Sequence, residues 1–263
     1  MLLAQISDLH IQLAGAQSEL IQAEAHLSRC VDTLNRLDPR PDLVLITGDL
    51  TESGKKEEYL ILKPLLEKLD IPYLLIPGNH DSTAMLRASF PEHAYLQGDT
   101  PFIQYTIDTW PLRIVALDTS VPMHSHGELC AARLDWLANT LAQEPSRPTV
   151  VLMHHPPFNT GIKLMDDIGL LQGREAFTEI IAPYRNIERI LCGHLHRTIM
   201  CRVGNTVAST CPGTAHQITL NLGSPSALHF NFEPPGYQLH SLGAHGLVTH
   251  HAVIGEFPGP YQF

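Results

Sequence analysis

The sequence predicts an α/β fold, and three observations carry that prediction. Short apolar runs alternate with amphipathic stretches at helical spacing along most of the chain. Five of those apolar runs end directly in a cluster of Asp, Asn or His. After Cys211 the periodicity weakens, and Pro, Gly and His become frequent. Strands separated by helices imply βαβ units and a largely parallel sheet in the first half. The later run of strands with little helix predicts a second, more antiparallel sheet.

Residues 1–6 read as a strand and not as a signal peptide, because no basic segment and no long apolar segment opens the chain. Residues 18–37 have helical spacing, with Leu20, Ala23, Leu27, Val31 and Leu34 on one face, and Pro39 and Pro41 end the helix. Residues 43–47 are a continuous apolar run, as in a buried strand. Residues 55–69 are helical, with Pro64 as a kink or a boundary, and 73–76 form a third strand. A short helix over 83–90 follows, then strands over 103–107 and 113–117 joined near Trp110-Pro111. Residues 128–143 make a helix with Leu134, Leu137 and Leu141 inward, 149–153 a strand, 161–173 a loop and 174–182 a helix. Strands over 188–192, 199–203 and 206–209 follow. The expected organisation is one domain over 1–263, with 211–263 as a C-terminal cap or tail packed on it.

The length of 263 residues is enough to bury a full core. A net charge of −10 argues against gripping a nucleic-acid polymer through a basic surface. It leaves a small anionic substrate open, because bound cations supply local positive charge that this count ignores. No apolar run reaches the ~18 residues of a membrane span. The five cysteines are odd in number and form no Cys-x-x-Cys pair, which favours a reduced, cytoplasmic compartment.

The chemistry gathers at the ends of apolar runs: residues 2–6 lead to Asp8 and His10, 43–46 to Asp49, and 74–76 to Asn79 and His80. Residues 150–152 lead to His154, and 190–192 to His194 and His196. In open α/β sheets, ligands bind just beyond the carboxyl ends of the strands, so clusters far apart in sequence can converge. Gly48, Gly78 and Gly193 each stand immediately before a candidate residue, where glycine permits a tight turn. Carboxylates, imidazoles and one carboxamide without a thiolate suit Fe, Mn, Zn or Co. Seven such side chains exceed one tetrahedral ion and fit two divalent ions if one carboxylate bridges. Two metals ~3.5–4 Å apart clamp an in-line attack on phosphorus. Each piece alone has a bland reading: Asp-x-His as a cap, Gly-Asp and Gly-Asn as turns, His-His-Pro-Pro as a packed loop. The weight lies in the ordered set. The Gly-rich stretch over 48–56 is one residue too long for a P-loop and lacks the Ser or Thr after Lys.

The set Asp8-Leu9-His10, Gly48-Asp49, Gly78-Asn79-His80-Asp81, His154-His155 and Gly193-His194-Leu195-His196 resembles the calcineurin-like metallophosphoesterase superfamily. Within it, the chain is similar to bacterial class III cyclic-nucleotide phosphodiesterases and related glycerophosphodiesterases, and Pro212-Gly213-Thr214-Ala215-His216-Gln217 resembles a segment of that subgroup. The resemblance implies a four-layer α/β/β/α sandwich and two divalent metals. Asp8, His10, Asp49 and His196 would hold the first metal; Asp49, Asn79, His154 and His194 would hold the second. His80 would contact the phosphate and protonate the leaving group, with Asn79 and His216 also on the substrate side. His155 reads as structural, and the loop over 159–172 as part of a cap. The implied activity is phosphodiester hydrolysis by a metal-activated water, on a 3′,5′-cyclic nucleotide first and a glycerophosphodiester second. Broader phosphodiesterase or phosphomonoesterase action is the nearer rival. A non-catalytic scaffold would have lost ligands, and none is lost here. The implied partners are a small-molecule phosphodiester and, as in relatives that pair through a cap or tail, a second copy of the chain, with no membrane and no nucleic-acid polymer.

Overall fold

The computed structural model describes residues 1–224 and 226–262. From the N-terminus the chain runs β1 (Leu2–Ile6), α1 (Ala16–Ile21), α2 (Ala23–Asn35), β2 (Leu43–Ile46), α3 (Lys56–Leu66), β3 (Tyr73–Leu75) and α4 (Thr83–Ser89). It continues through β4 (Tyr105–Ile107), β5 (Arg113–Ala116), β6 (Gly127–Glu128), α5 (Ala131–Gln143), β7 (Thr149–Leu152), α6 (Lys163–Asp166), β8 (Leu170–Gln172), α7 (Arg174–Ile181) and β9 (Ile187–Cys192). The remaining strands are β10 (Met200–Val203), β11 (Thr206–Thr210), β12 (Gln217–Ile218), β13 (Phe230–Asn231), β14 (Gly236–Gly243) and β15 (Gly246–Val253).

Two sheets carry the fold, in the orders β15-β14-β1-β2-β3 and β10-β11-β9-β7-β5-β4. Side-chain alternation along the second sheet sorts its residues into two cores. Ile114, Ala116, Val150, Leu152 and Leu191 face the first sheet and join Leu3, Ile6, Val44 and Ile46 in one apolar cluster. Val115, Val151 and Ile190 face outward and bury Leu137 and Leu141 of α5 and Phe177 and Ile181 of α7. On the far side of the first sheet, α2 contributes Leu27, Val31 and Leu34, and α3 contributes Tyr59, Leu62 and Leu66. The layers are therefore helix, sheet, sheet, helix, as the resemblance implies.

Several local expectations differ from the structure. The helix expected over 18–37 is two helices, because Gln22 adopts a left-handed φ of 53° between α1 and α2. That residue resets the helical phase, so Leu20 is 58% exposed and Ile21 takes the buried position. Pro64 lies in the last turns of α3, where its ring forgoes only the bond to the Leu60 carbonyl. Helix α5 begins at Ala131, because Gly127–Glu128 instead pairs with β8, inside a stretch expected to be loop. The second sheet is not the more antiparallel one: β5, β7, β9 and β11 are parallel, with antiparallel strands only at its edges. Its parallel centre is threaded by α5 and α7, and the edge hairpins β4–β5 and β10–β11 have no helix between their strands. In the C-terminal stretch, β14 pairs with β1, so the last hairpin completes the first sheet.

The sheets are stapled at their centre. Gln5 on β1 is fully buried, and its Nε2 donates to Thr47 Oγ1 and to the Cys192 carbonyl, each at 3.0 Å. Thr47 follows β2 in the first sheet, and Cys192 ends β9 in the second. Gln5 Oε1 accepts from His240 Nε2 at 3.2 Å, and the Thr249 hydroxyl donates to His240 Nδ1 at 2.9 Å. This pattern satisfies both nitrogens of a neutral imidazole. Burial, aided by the nearby Arg189 charge, lowers the His240 pKa to about 3.

The unfolded chain takes up this proton below about pH 6.5 while the folded chain refuses it until about pH 3, so the group's contribution is full above 6.5 and lost as pH falls. At pH 5 the loss from this one group is about 2 kcal/mol. Metal-stripped His240→Gln is therefore expected to lose about 2 kcal/mol less than the parent between pH 7 and pH 5 in urea melts; equal losses would show that His240 does not contribute.

Candidate metal centre

The carboxyl ends of β1, β2, β7 and β9 meet at one edge of the seam between the sheets, and each leads into a turn that carries candidate side chains. Asp8, His10, Asp49, His194 and His196 all have left-handed backbone, with φ between 45° and 70°. This conformation is uncommon outside glycine, and it aims each side chain back across the strand ends. The turns are wired to one another. The Asp8 N–H donates to the Gly48 carbonyl, the His10 N–H to the Asp49 carbonyl, and the His194 N–H to Asp8 Oδ1, each at 3.0 Å. Two glycines make the closeness possible. Gly48 has a φ of 94°, and a Cβ there would strike the His154 ring; a Cβ on Gly78 would strike the backbone and carboxylate of Asp49.

Asp81 knots two of the motifs together. Its carboxylate accepts from the backbone N–H groups of Leu50, Thr51 and Gly78, and from the hydroxyls of Thr51 and Tyr59, at 2.9–3.2 Å. The Asp49 loop and the Asn79-His80 loop are therefore fixed relative to each other. The His80 N–H adds a bond to Asp49 Oδ1 at 2.9 Å.

All seven residues proposed as ligands from the sequence come together. Asp8, His10, Asp49 and His196 offer ligand atoms within 4.8 Å of one another. His10 Nε2 and His196 Nε2 are 3.1 Å apart, and His196 Nε2 is 3.4 Å from Asp8 Oδ1. A second cluster lies alongside: Asn79 Oδ1 is 3.1 Å from His154 Nε2 and 3.0 Å from His194 Nδ1. Asp49 Oδ2 stands between the two, 3.6 Å from His10 Nε2 and 3.3 Å from His154 Nε2.

Each imidazole has its other nitrogen occupied. His10 Nδ1 meets Glu52 Oε2 at 2.7 Å, His154 Nδ1 the Thr47 carbonyl at 2.8 Å, His194 Nε2 the Ile168 carbonyl at 3.1 Å, and His196 Nδ1 the His216 carbonyl at 3.1 Å. These acceptors take the outer ring N–H and turn the other nitrogen toward the cluster, which fixes the tautomer a metal would require. His80 follows the same rule: its Nδ1–H donates to the Glu52 carbonyl at 2.7 Å, which leaves Nε2 for the pocket.

The electrostatics also suit cations. Burial opposes charge on His10 and His154, yet Glu52 at His10 and Asp49 at His154 lift both to about 9. Burial raises Asp8 to about 6, against the pull of His154. Burial and the neighbouring His154 and His10 charges lower His194 and His196 to about 3. Asp8 Oδ2 is buried without a hydrogen-bond partner. Without a cation, protons on His10 and His154 supply the positive charge that the surrounding carboxylates demand; divalent ions would take the place of those protons, and the donor set fits two of them.

The histidines outside this set divide clearly. His155 is buried with both nitrogens engaged, Nδ1 by the Thr119 hydroxyl at 2.8 Å and Nε2 by the Ser125 carbonyl at 3.1 Å. It is packed on the His194 ring and ties the 119–125 segment to the site. His216 lies against the rings of His10 and His196, with its Nδ1 unpartnered, and lines the pocket. His124 and His126 lie together on a loop outside the clusters. From the loop over 159–172, Met165 and Ile168 form part of the pocket wall.

Glu52 is the residue the sequence reading missed. Its carboxylate orients His10 and its carbonyl orients His80, so one residue sets two imidazoles. Only its place three residues after Asp49, on the way to the next helix, could have flagged it.

The pattern of an entire family matches here: the calcineurin-like phosphoesterase model covers residues 1–198. The chain belongs to the calcineurin-like phosphoesterase family. It is a metal-dependent hydrolase of phosphate esters. A protein of Arcobacter nitrofigilis named as a probable glycerophosphodiester phosphodiesterase GpdQ is 36% identical over 265 residues, covering 100% of this chain and 97% of the relative. A 3′,5′-cyclic-nucleotide phosphodiesterase of Nostoc is 30% identical over 256 residues, covering 94% and 90%. The crystal structure of a dimetal phosphatase from Danio rerio shares the fold, with a TM-score of 0.65 at 14% identity over 97% of this chain and 99% of that one. Among the described residues, no helix is long and apolar enough to cross a membrane, and all five cysteines are free.

A carboxylate that orients a ligating histidine is worth about 10–100-fold in metal affinity. Glu52→Ala is expected to weaken metal binding by about that factor in a chelator competition, with the fold retained by circular dichroism. Unchanged affinity would remove Glu52 from the site.

Proposed function

We propose that the two clusters hold one divalent cation each, from Fe, Mn, Zn or Co, with Asp49 shared, and that the enzyme hydrolyses small phosphodiesters. Bound there, the cations would activate water and neutralise the phosphate. The chain's own residues supply the rest. Asn79 sits between the second cluster and the pocket and would touch the phosphate as well as the cation. His80, held by the Glu52 carbonyl behind its Nδ1, would as an imidazolium stabilise the leaving oxygen and protonate it from Nε2. His216 would close the phosphate site from the opposite side.

One observation supports a diester over a monoester. The pocket is lined by His10, Asp49, Asn79, His194 and His196 of the clusters, by His80 and His216, by Gln17, Glu52 and Ser125, and by an apolar wall of Met165, Ile168, Ile218 and Leu228, with no Lys or Arg among the described lining residues. A monoester dianion would meet Glu52 with only the cations to balance it. A diester carries one negative charge and brings a second substituent, for which the apolar wall provides cover. A cyclic nucleotide is the first substrate class in this reading. A glycerophosphodiester is the second, supported by the likeness to the Arcobacter protein, which extends through the C-terminal hairpins.

The expected kcat/KM for bis-p-nitrophenyl phosphate exceeds that for p-nitrophenyl phosphate by at least about tenfold in the manganese-loaded enzyme, a transition-state difference of about 1.4 kcal/mol; a reversed ratio would make it a phosphomonoesterase. Asp49→Ala is expected to lose both metals and all turnover. His80→Ala is expected to keep its metals by elemental analysis and lose about 10²–10⁴ in kcat; loss of metal instead would make His80 a ligand.

A further inference from the structure

The short ribbon β12–β13 carries an apolar row that the chemistry above does not use. Ile218 and Phe230 are directly paired across the ribbon, so their side chains share a face. Residues two apart lie on the same face of a strand, which adds His216, Leu228 and Phe232. The ring contacts agree: His216 to Phe230 at 5.1 Å and Phe230 to Phe232 at 5.8 Å, both edge-on. His216, Ile218 and Leu228 already line the metal pocket, so this face looks into the site. The His216 ring is in turn 4.7 Å from the ring of His196. Two ring-to-ring steps therefore separate a candidate metal ligand from Phe230.

The row is open and the ribbon beneath it is held. Phe230 is 39% exposed, Leu228 42% and Phe232 52%. Arg197, the residue after His196, donates to the Ile218 carbonyl at 2.7 Å and pairs with Glu233 at 2.7 Å. One guanidinium thus anchors both strands of the ribbon to the strand-end turn that carries His196, and it neutralises the one carboxylate beside Phe232. What remains is a fixed, uncharged aromatic surface at the rim of a phosphate site. A planar, uncharged ring attached to the phosphate by a short linker fits it; a glycerol or ethanolamine arm gains nothing from it.

We infer that Phe230, flanked by Leu228 and Phe232, is a stacking shelf for the nucleobase of a nucleotide diester, and that it sets the preference of the site between nucleotide and glycerol substrates. This rests on the phosphodiesterase reading above.

The test uses the manganese-loaded enzyme with 3′,5′-cyclic AMP and glycerophosphoethanolamine in parallel, comparing the parent with Phe230→Ala, Phe230→Trp and Phe232→Ala. Losing a base–aromatic stack lowers affinity by about tenfold. The ratio of kcat/KM for cyclic AMP to that for glycerophosphoethanolamine is expected to fall about tenfold in Phe230→Ala, chiefly through KM. It is expected to fall less in Phe232→Ala and to hold in Phe230→Trp, with metal content constant. An unchanged ratio in Phe230→Ala overturns the shelf. So does a change of oligomeric state with both rates falling together, which would make the row a contact between copies of the chain. A parent enzyme that cleaves glycerophosphoethanolamine but not cyclic AMP overturns the shelf and leaves the phosphodiesterase reading standing. A fully metallated parent inert on both substrates ends both.

Discussion

The structure depends on one seam, where the carboxyl ends of β1 and β2 in one sheet meet those of β7 and β9 in the other. Gln5 spans it from the interior, bonding to Thr47 on one side and to Cys192 on the other. His154, also buried, spans it at the strand ends through its bond to the Thr47 carbonyl. Asp8, His10, Asp49 and Asn79 come from the first sheet, and His154, His194 and His196 from the second. Neither sheet holds a complete set for either cluster. The packing of the two sheets and the assembly of the candidate site are the same event. That explains why a buried glutamine, normally costly inside an apolar core, is tolerated at the middle of it, with both ends of its carboxamide engaged.

Around the clusters runs a ring of acceptors, and most of them are backbone carbonyls. Thr47, Glu52, Ile168 and His216 each present one to an imidazole N–H. A carbonyl has no side chain to mutate, and it is positioned by the turn it belongs to. The orientation of His194 is thus set by the loop over 159–172, and that of His196 by the segment leading to β12. The segments that wall the pocket also aim the rings inside it, so substrate access and ring geometry are coupled through short loops.

Much of the site was legible in the sequence because its elements are local. An apolar run that leads into Asp, Asn or His, in three cases through a Gly, marks a strand end, and all five such runs converge here. The βαβ units of the first half were legible for the same reason. What was not legible depends on contacts across the fold. The break at Gln22 is a single left-handed residue inside a good helical pattern, and it displaced Leu20 from the core. The parallel centre of the second sheet was hidden because strand direction follows from the crossovers α5 and α7, not from the edge strands. Glu52 looks like any acidic turn residue until His10 and His80 arrive from either side. The β12–β13 ribbon is only two residue pairs long, too short for alternation to register, so Phe230 read as one more residue in a loop-rich tail.

The left-handed turns have one further consequence. Asp, Asn and His are the side chains that best tolerate that backbone region after glycine, because a short polar group can satisfy its own neighbourhood there. They are also side chains that hold divalent cations. At Asp8, His10, Asp49, His194 and His196 the chain geometry and the coordination chemistry therefore narrow the amino-acid alphabet independently to nearly the same few letters. A cysteine or glutamate could ligate but would sit badly in the turn; a glycine would suit the turn but offer no ligand. The vocabulary of the centre is written as much by the shape of the strand ends as by the ions it would serve.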